Sequence, residues 1–340
     1  MLAYVLKSIG GLYKEDVQMP TIKKGWALVK VMACGICSSD LPRIFNKGTY
    51  HFPTIPGHEF SGLVVDIDEE HKYLLNKRVG VFPLLPCGEC EQCKLKKYEM
   101  CENYDYIGSR RDGAFAEYVS VPIWNLVEMS DSVSFEQIAM MEPLSVALSA
   151  IKKINLICEK SVAVIGTGMI GISAAVFASF FSKDVTVIGR NEEKRKYVSK
   201  VNNVKYCYQL TENMLFDAVV EAVGTNASIA QAISITKPGG TIVLMGNPSS
   251  DIKLDQRIYW MILRKQISLI GTWNSQFDGN NKSVWTEIRD LLSKDQFDFS
   301  FLISHRFFKD HLFDGLNLMR NHNETYCKVM TIWEDQHNEK

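Results

Sequence analysis

The chain has 340 residues, of which 46% are hydrophobic and 23% are charged, and its formal net charge is -1. This composition is typical of a globular protein of about two domains, and the near-zero charge gives no electrostatic argument for binding nucleic acid or an anionic membrane. Residues 1–12 lack the extended apolar core of an export signal and are predicted to form the first strand. We therefore expect a cytoplasmic protein that acts on a small molecule, without a nucleic-acid or membrane partner.

The first part of the chain, up to about Val146, is predicted to consist of short strands separated by turn residues. The predicted strands are residues 26–33, 63–66, 78–82 and 116–121. No long stretch with helical periodicity appears among them. This pattern predicts a compact, β-rich domain.

Four closely spaced cysteines form the strongest local signal in this domain. Between Cys87, Cys90, Cys93 and Cys101 there are two, two and seven residues, in a stretch rich in polar and turn residues. Four thiolates close a tetrahedral zinc site with no open position, so such a site stabilises a lobe and does no chemistry. A disulfide pair or an iron–sulfur cluster is the alternative. The number and spacing of the cysteines favour structural zinc in a reducing compartment.

A glycine-rich stretch marks the start of a different kind of domain. The apolar run of residues 162–165 is followed by Gly166, Gly168 and Gly171, and residues 172–181 suit a helix. In a dinucleotide-binding unit these glycines form the turn, let the backbone approach a pyrophosphate and let the helix pack on the strand. The pyrophosphate then lies at the helix N-terminus, beside Met169 and Ile170.

A membrane span is the rival interpretation, because residues 161–182 contain no charged residue and are long enough to cross a bilayer. The clustered glycines, the serines and the charged chain on both sides argue against it. Five further short apolar runs follow, at residues 185–188, 204–207, 217–220, 241–245 and 267–270. Strands that alternate with helices in this way predict a six-stranded, doubly wound parallel sheet over residues 147–278.

The last part of the chain is predicted to return to the first domain. It contains a predicted helix at residues 283–293, a strand at 299–304, a helix at 309–319 and a last strand at 327–333. The α/β chain thus divides into residues 1–146 with 279–340 and residues 147–278.

Three separated segments carry the remaining signal: Cys37 after Gly35-Ile36, the pair His58-Glu59, and Glu142 before a proline. Individually, such residues are ordinary. In order and spacing, together with the cysteine lobe and the dinucleotide unit, they resemble the zinc-dependent medium-chain alcohol and polyol dehydrogenases. The resemblance implies a GroES-like catalytic domain, a Rossmann domain, and a catalytic zinc held by Cys37, His58 and Glu142. Glu59 would be a nearby carboxylate that holds the metal's water or ligates transiently.

The resemblance also implies the reaction. Zinc would lower the pKa of a substrate hydroxyl, Ser39 would carry its proton away, and the carbon-bound hydrogen would leave as hydride to the nicotinamide. Asp40 would orient the ligands. Alcohol dehydrogenases commonly have Cys where this chain has Glu142, so the resemblance favours sugar alcohols.

Four strings, at residues 38–45, 58–62, 83–87 and 104–113, are most similar to the galactitol-1-phosphate 5-dehydrogenases of that family. A phosphorylated substrate would suit Arg43, Arg110 and Arg111, because the guanidinium fork matches phosphate; the alternative is a solvated turn. Asn274, after the sixth strand, is predicted to line the nicotinamide or the substrate side. An unphosphorylated polyol such as sorbitol, or threonine, is the alternative substrate, and a non-enzymatic binding protein of this fold is a further one.

The cofactor prediction depends on the end of the second strand of the dinucleotide unit. An NAD-binding unit carries Asp or Glu there, roughly 20 residues past the glycines. Here the strand is followed by Gly189 and Arg190, with Arg195 close behind. We therefore predict NADP(H) ahead of NAD(H). Gly224 and Gly246 follow the fourth and fifth strands, at the edge where the cofactor is expected. The resemblance also implies a homo-oligomer, a dimer or a tetramer, that joins through the sheet edge near residues 267–271.

Overall fold

The computed structural model describes residues 1–155, 160–211, 213–279, 282–294 and 297–334. The chain divides into two compact units. Unit 1 comprises Met1–Glu142 and Ser275–Lys340, and unit 2 comprises Pro143–Asn274. Each junction lies a few residues before the boundary that the sequence predicts.

The described part of unit 1 is mainly β-structure with short helices. Its elements are β1 (Leu2–Ser8), β2 (Gly11–Asp16), β3 (Trp26–Ile36), α1 (Asp40–Pro42), a π-helical turn (Arg43–Lys47), β4 (Glu59–Ile67), β5 (Arg78–Val81), β6 (Leu84–Leu85), α2 (Glu91–Lys94), β7 (Asp105–Tyr106), β8 (Tyr118–Pro122), β9 (Leu126–Glu128), α3 (Phe135–Ala139), α4 (Met141–Lys152, which continues into unit 2), and, after the insertion of unit 2, α9 (Val284–Ser293), β16 (Ile303–Phe308), α10 (Leu312–Asn321) and β17 (Lys328–Ile332).

The main sheet of unit 1 is organised around β3. Its strand order in the described chain is β16-β17-β3-β4-β5-β9, and β8 also pairs with β3. Nearly every residue of β3 is buried, which explains why its sequence is an almost unbroken apolar run. Antiparallel pairing places Gly35, near the end of β3, opposite Glu59 of β4 and Met330 of β17. Three strands distant in sequence therefore meet at the end of β3.

The first predicted strand is wrong as a single element. Residues 1–12 form β1, a turn and the beginning of β2, because Gly10 adopts a φ of +77°, a conformation that reverses the chain and that side chains disfavour. The region before residue 146 also contains a short helix, α3, whose first turn is capped by the Ser134 side chain.

The strand predicted at residues 299–304 is displaced. Residues Ser300–Leu302 form a 3₁₀ turn, and the strand runs from Ile303 to Phe308. The Asp298 carboxylate accepts hydrogen bonds from Ser300 N and Ser300 Oγ, both at 2.7 Å, which favours a turn there. The predicted helix at 309–319 likewise begins later, at Leu312, after a 3₁₀ turn.

Unit 2 alternates strands and helices. Its elements after α4 are β10 (Ser161–Ile165), α5 (Met169–Ser179), β11 (Asp184–Ile188), α6 (Arg195–Val198), β12 (Val204–Cys207), β13 (Phe216–Glu221), α7 (Asn226–Ile235), β14 (Thr236–Leu244), α8 (Gln256–Lys265) and β15 (Ser268–Gly271). The strand order is β12-β11-β10-β13-β14-β15, and all pairs are parallel. The predicted six-stranded, doubly wound sheet is confirmed. Its strand order reverses between β10 and β13, the place where such sheets bind ligands.

The uncharged stretch of residues 161–182 is β10, a tight turn and α5, and is not one continuous helix. α5 is buried on nearly all of its faces, which explains its lack of charge. Among the described residues, no helix combines the length and apolarity that crossing a membrane needs.

Candidate functional site

The end of β3 and the start of β4 bring Cys37, His58 and Glu59 together. One possible ligand atom from each lies within 4.8 Å of those of the others. We call this group the catalytic cluster. His58 is 4% exposed and Glu59 is 2% exposed, whereas Cys37 is partly exposed. The β3–β4 pairing thus gathers three of the predicted ligand residues in one place.

Glu142 lies in the first turn of α4 and is also buried. Its Oε1 accepts a hydrogen bond from Tyr106 Oη at 3.3 Å. The pKa of Glu142 is raised to about 7: burial is the largest cause, the charge of His58 opposes the shift, and the Glu59 carboxylate adds to it. Because the charges of Glu59 and His58 act on Glu142, this residue lies in the electrostatic environment of the catalytic cluster. A positive ion there would offset the repulsion between the Glu59 and Glu142 carboxylates.

Asp40 connects several of these residues. It is fully buried, its Oδ2 accepts from Cys37 N at 3.0 Å, and its Oδ1 accepts from Arg43 Nη1 at 3.0 Å. Burial alone would raise the pKa of this carboxyl, but His58 and Arg43 together hold it below its usual value. Asp40 is therefore an ionised carboxylate that fixes the Cys37 backbone and faces His58.

The side chains fit a zinc ion. Thiolate, imidazole and carboxylate are the donors that zinc takes in proteins. His58 Nδ1 is buried and lies 3.4 Å from Asp40 Oδ1, but it makes no hydrogen bond of acceptable geometry in the described chain. A carboxylate behind a ligating histidine is the usual arrangement at such sites. Burial lowers the pKa of His58, but the Asp40 carboxylate outweighs it and raises that pKa well above 6.5.

The structure adds a buried cation that the sequence did not reveal. Lys328, at the start of β17, donates to Ile36 O at 3.1 Å and to Glu59 Oε2. Burial alone would lower the pKa of Lys328, and the Glu59 carboxylate raises it above its usual value. Gly35 makes room for this pair, because a Cβ there would collide with Glu59 Oε2. The available signal was a single charged residue, a lysine, at the start of the last strand.

Tyr106 is the second residue that sequence reasoning missed. Its ring packs edge-on against the His58 ring with centroids 5.7 Å apart, and its hydroxyl contacts Glu142. Burial, followed by Glu142, raises the pKa of Tyr106 well above 10, so the phenol stays protonated and donates to the carboxylate. Its only signal was its place in the string at residues 104–113.

Ser39 contacts Cys37 directly, and Arg43 is linked to Cys37 through Asp40. Ser39 Oγ donates to Cys37 Sγ at 3.2 Å. The Arg43 side chain is 19% exposed and is anchored on Asp40. Both residues therefore border the catalytic cluster.

The other predicted substrate residues are not part of the catalytic cluster. Arg110 lies between the rings of Tyr50 and Tyr104, with Cζ 4.3 and 4.2 Å from their centroids. Arg111 pairs with the Asp105 carboxylate. Asn274 adopts a φ of +52°, and its Nδ2 is buried without a hydrogen-bond partner in the described chain. That these three residues bind substrate stays a prediction.

The four closely spaced cysteines form a second group. Cys87, Cys90, Cys93 and Cys101 each place Sγ within 4.8 Å of the other three, and all four are free thiols. The contacts between Cys87 and Cys93 and between Cys90 and Cys101 are 3.9 Å, far longer than the roughly 2.05 Å of a disulfide. Backbone N–H groups of Glu102 and Cys93 lower the pKa of Cys90 to about 6. This geometry fits a closed, four-thiolate zinc site.

The glycine-rich turn of unit 2 fits a pyrophosphate. Gly166 has a φ of +119°, and a Cβ on Gly171 would collide with the Gly166 carbonyl oxygen. Gly168 is the N-cap of α5, and a Cβ there would meet nothing within 4 Å. The turn therefore leaves open space at the start of the helix, where Met169 and Ile170 contribute backbone N–H groups.

The two arginines near the end of β11 differ in their surroundings. Arg190 is exposed, and within the described ranges it makes no ion pair. Arg195 pairs with Glu192 and lies over the Tyr206 ring, 4.9 Å from its centroid. Arg190 is thus the cation that remains available to a ligand.

Gly224 and Gly246 allow close packing of two turns. A Cβ on Gly224 would approach Asn247 C at 2.7 Å, and one on Gly246 would collide with Gly224 N. The Glu221 carboxylate accepts from Val223 N and Gly224 N, both at 2.8 Å, and fixes the first turn. Chain packing accounts for both glycines, and their contact with a cofactor stays a prediction.

Two family models match the chain. The model of the alcohol dehydrogenase GroES-like domain matches residues 23–131, and the model of the zinc-binding dehydrogenase matches residues 166–294. These ranges fall mainly in unit 1 and unit 2, respectively.

Curated relatives match over most of their length. Galactitol 1-phosphate 5-dehydrogenase of Escherichia coli (strain K12) is 32% identical over 294 residues, which cover 82% of this chain and 84% of that protein. L-threonine 3-dehydrogenase of Pseudoalteromonas atlantica is 28% identical over 332 residues, covering 92% and 95%.

Solved structures match almost the whole chain. A protein of Sinorhizobium meliloti 1021, described as a zinc-binding dehydrogenase and bound to NADP, has a TM-score of 0.89 at 26% identity, with 98% of this chain and 99% of that chain covered. Galactitol-1-phosphate dehydrogenase of Escherichia coli has a TM-score of 0.88 at 30% identity, with 98% and 100% covered.

Proposed function

Because the chain belongs to the zinc-dependent medium-chain alcohol dehydrogenases, we propose that it oxidises a polyol phosphate, with galactitol 1-phosphate the best candidate, to a ketose phosphate. As a member it is an oxidoreductase that acts on CH–OH donors and uses zinc and NAD(P). The observation that carries the substrate proposal is Arg43, a partly buried guanidinium that borders the catalytic cluster. The 32% identity to a galactitol 1-phosphate enzyme supports the same substrate class.

The proposed catalytic zinc ligands are Cys37, His58 and Glu142, with Glu59 as the carboxylate that ligates or holds water. Their support is the close approach of ligand atoms from Cys37, His58 and Glu59, and the Asp40 carboxylate that faces His58 Nδ1 at 3.4 Å. The four thiols of Cys87, Cys90, Cys93 and Cys101 are the proposed structural site. The two proposed sites have different roles. The zinc held by Cys37, His58 and Glu142 would take part in the reaction, and the zinc held by the four cysteines would stabilise its lobe.

When bound, zinc supplies a Lewis acid that makes the substrate hydroxyl acidic near neutral pH, and NAD(P) accepts a hydride from the carbinol carbon. Ser39, hydrogen-bonded to Cys37 Sγ, is the proposed relay: its oxygen would accept the hydroxyl proton as its own proton passes on toward solvent. Asp40 holds the Cys37 backbone and faces His58, and Lys328 holds Glu59. These contacts orient the reacting groups before substrate arrives.

The guanidinium of Arg43 is the proposed phosphate-binding group. One of its Nη atoms is engaged by Asp40, and a guanidinium carries five N–H donors in a planar fork. The remaining donors can bind a phosphate in the bidentate manner that lysine does not offer. Asp40 would thus position both the zinc ligand Cys37 and the substrate phosphate.

NADP(H) is the proposed cofactor in preference to NAD(H). The end of β11 carries Gly189 and Arg190 and lacks the carboxylate that would repel a 2′-phosphate. Arg190 is exposed, whereas the charge of Arg195 is already paired with Glu192. We therefore assign the 2′-phosphate contact to Arg190 first and to Arg195 second.

An unphosphorylated polyol or threonine is the second candidate substrate. The 28% identity to an L-threonine 3-dehydrogenase over 92% of the chain favours keeping it. Such a substrate would leave the charge of Arg43 without a partner other than Asp40, which is why we place it second.

We further propose a cytoplasmic homo-oligomer. Thiolate zinc sites suit a reducing compartment. β15 is the edge of its sheet, and the neighbouring α8 exposes Tyr259, Trp260 and Leu263, which are 53%, 45% and 56% exposed. An edge strand beside exposed apolar side chains is a surface that a second copy would cover.

Steady-state turnover tests the proposal. Galactitol 1-phosphate is compared with galactitol, sorbitol and threonine, each with NAD and NADP, before and after chelation. We expect turnover of the phosphate that chelation abolishes. Arg43→Ala should lower kcat/KM for the phosphate roughly tenfold or more, about 1.4 kcal/mol, and leave galactitol nearly unchanged. The matched control is Lys47→Ala, an exposed cation on the same turn. Turnover of unphosphorylated compounds alone would overturn the phosphate assignment.

A further inference from the structure

Unit 1 contains a groove of about 860 Å³ that no residue of the catalytic cluster lines. Its volume is in the range of small-molecule sites, about 300–1,000 Å³. The walls come from the chain between β2 and β3, the loop before β4, the loop that follows β7, and β8. We call it the Trp26 groove, because the indole of Trp26 is its largest aromatic wall.

Two cationic side chains lie close to the indole ring of Trp26. Lys23 Nζ lies 4.5 Å from the centroid of the ring and Arg111 Cζ lies 5.4 Å from it. Both cations are attracted to the π-system of this ring. The Lys23 ammonium makes no hydrogen bond or ion pair with any residue that the structure describes. A bound anion would supply this ammonium with a partner.

The acidic residues of the groove already have partners within the protein. The Asp105 carboxylate pairs with Arg111 and accepts from Tyr106 N at 2.9 Å. Asp112 Oδ1 accepts from Ile55 N at 2.9 Å. Three cations, Lys23, Arg110 and Arg111, line the groove beside these two carboxylates, so the net charge of the lining is positive.

Arg110 is the third cation of the groove. Its Nη1 donates to Tyr104 O at 2.6 Å, and its guanidinium lies between the rings of Tyr50 and Tyr104. The rest of the lining is largely apolar and includes Val17, Pro20, Ile22 and Tyr118. Positive charge thus accompanies apolar and aromatic surface in one cavity.

We propose that the Trp26 groove binds a small organic anion with a flat apolar body and one carboxylate or phosphate group. Lys23, with Arg110 and Arg111, holds the anionic group, and Trp26 provides the face on which the body packs. The site is separate from the catalytic cluster, although β7 borders both. The ring of Tyr106 packs against that of His58, whereas its neighbour Asp105 lines the groove. The inference does not depend on which substrate is oxidised.

Calorimetric titration of the full-length, zinc-loaded protein with phenyl phosphate and with benzoate tests the proposal. We expect saturable binding with a dissociation constant of about 1 mM or tighter. Lys23→Ala should weaken it about fivefold or more, because it removes the cation with no protein partner. Lys24→Ala is the matched control: this side chain is 84% exposed, lies 3.8 Å from Glu70 and does not line the groove. Binding that Lys23→Ala and Lys24→Ala leave equally strong would overturn the proposal.

Further titrations distinguish binding in the Trp26 groove from binding at the substrate site. Binding of phenyl phosphate should persist in Arg43→Ala, and its loss there would assign the anion to the catalytic cluster and overturn the groove site. Inorganic phosphate should bind more weakly than phenyl phosphate, since it lacks the apolar body; equal affinities would refute the role of Trp26. Absence of binding by both aryl anions would also refute the site.

Discussion

Lys328 Nζ donates to the Glu59 carboxylate in the interior of unit 1, where the two side chains are 4% and 2% exposed. The same ammonium donates to Ile36 O, the residue before Cys37. One buried cation therefore fixes both the backbone beside one proposed zinc ligand and the carboxylate beside another. A buried pair of this kind costs much more to break than it contributes when intact.

Lys328→Met tests this pair, because methionine keeps much of the side-chain length and removes the charge. Glu59 would be left as an unpaired buried carboxylate, and we expect the free energy of unfolding to fall by about 3–5 kcal/mol. Urea denaturation of the zinc-loaded protein measures it. The double variant Lys328→Met/Glu59→Gln should be more stable than Lys328→Met alone. Losses that simply add in the double variant would show that the two residues are not coupled.

Ser39→Ala tests the proposed proton path. Without the hydroxyl, the substrate proton has no side-chain acceptor beside Cys37, and we expect kcat to fall by about 10²- to 10⁴-fold with an unchanged zinc content. The matched control is Ser38→Ala, since Ser38 is adjacent in sequence and exposed. Steady-state kinetics and metal analysis provide the two readouts. Equal activities of the two alanine variants would contradict the assignment.

Arg190→Ala tests the cofactor preference. Loss of the available cation at the end of β11 should lower kcat/KM for NADP roughly tenfold, about 1.4 kcal/mol, and change that for NAD little. Arg195→Ala should have a smaller effect, because the guanidinium of Arg195 is paired with Glu192. Initial rates with each cofactor at saturating alcohol give both values. A larger effect of Arg195→Ala would reverse the order in which we assign the two residues.

Cys93→Ser tests the structural site. Replacing one of four thiolates should leave the protein with one zinc fewer per chain and a lower melting temperature, since structural zinc contributes directly to folding. Cys207→Ser is the control: Cys207 lies at the end of β12 and is in neither metal-ligand group found among the described residues. Metal analysis of the purified variants checks the result. Unchanged zinc content in Cys93→Ser would refute the four-cysteine site.

Local sequence patterns were sufficient to predict the sheet of unit 2 and the grouping of the four closely spaced cysteines. The inner strands of the parallel sheet, such as β10 and β11, are buried on both faces and therefore appear as apolar runs. The glycines of the first turn are required by a positive φ and a close approach. The spacing of Cys87, Cys90, Cys93 and Cys101 brings the thiols together through short-range chain geometry. Such features depend on residues that are near one another in sequence.

Contacts between distant segments were not predictable in the same way. Lys328 reaches Glu59 because β17 and β4 both pair with β3, a register that no local pattern specifies. Likewise, Arg110 and Arg111 are adjacent to each other, and their different surroundings arise from Tyr50, Tyr104 and Trp26. The turn at Ser300 was missed because a side-chain hydrogen bond from a serine to Asp298 competes with the strand.

The pH dependence of stability should reveal a polar network in unit 2. Asp217 Oδ2 accepts from Ser161 Oγ at 2.7 Å and from Lys237 Nζ at 2.9 Å. Burial raises the pKa of Asp217, but hydrogen bonds from Lys237 and Ser161 outweigh it and lower the pKa from 3.8 to about 2. Since the folded-state pKa is the lower one, the contribution of Asp217 to stability is present above about pH 4 and is lost as the pH falls toward about 2.

Asp217→Asn removes this dependence. We expect the urea midpoint of the wild-type protein to exceed that of the variant at about pH 5, and the difference between them to shrink progressively as the pH is lowered from about 4 toward about 2. The side chains of Asp217 and Lys237 are 31% and 41% exposed, so solvent screening keeps the effect modest. Asp184→Asn, which removes an exposed pair with Lys205 at 2.9 Å, serves as the control and should change the midpoint little. A wild-type-to-Asp217→Asn difference that stays constant over this range would show that the carboxylate is not held by the network.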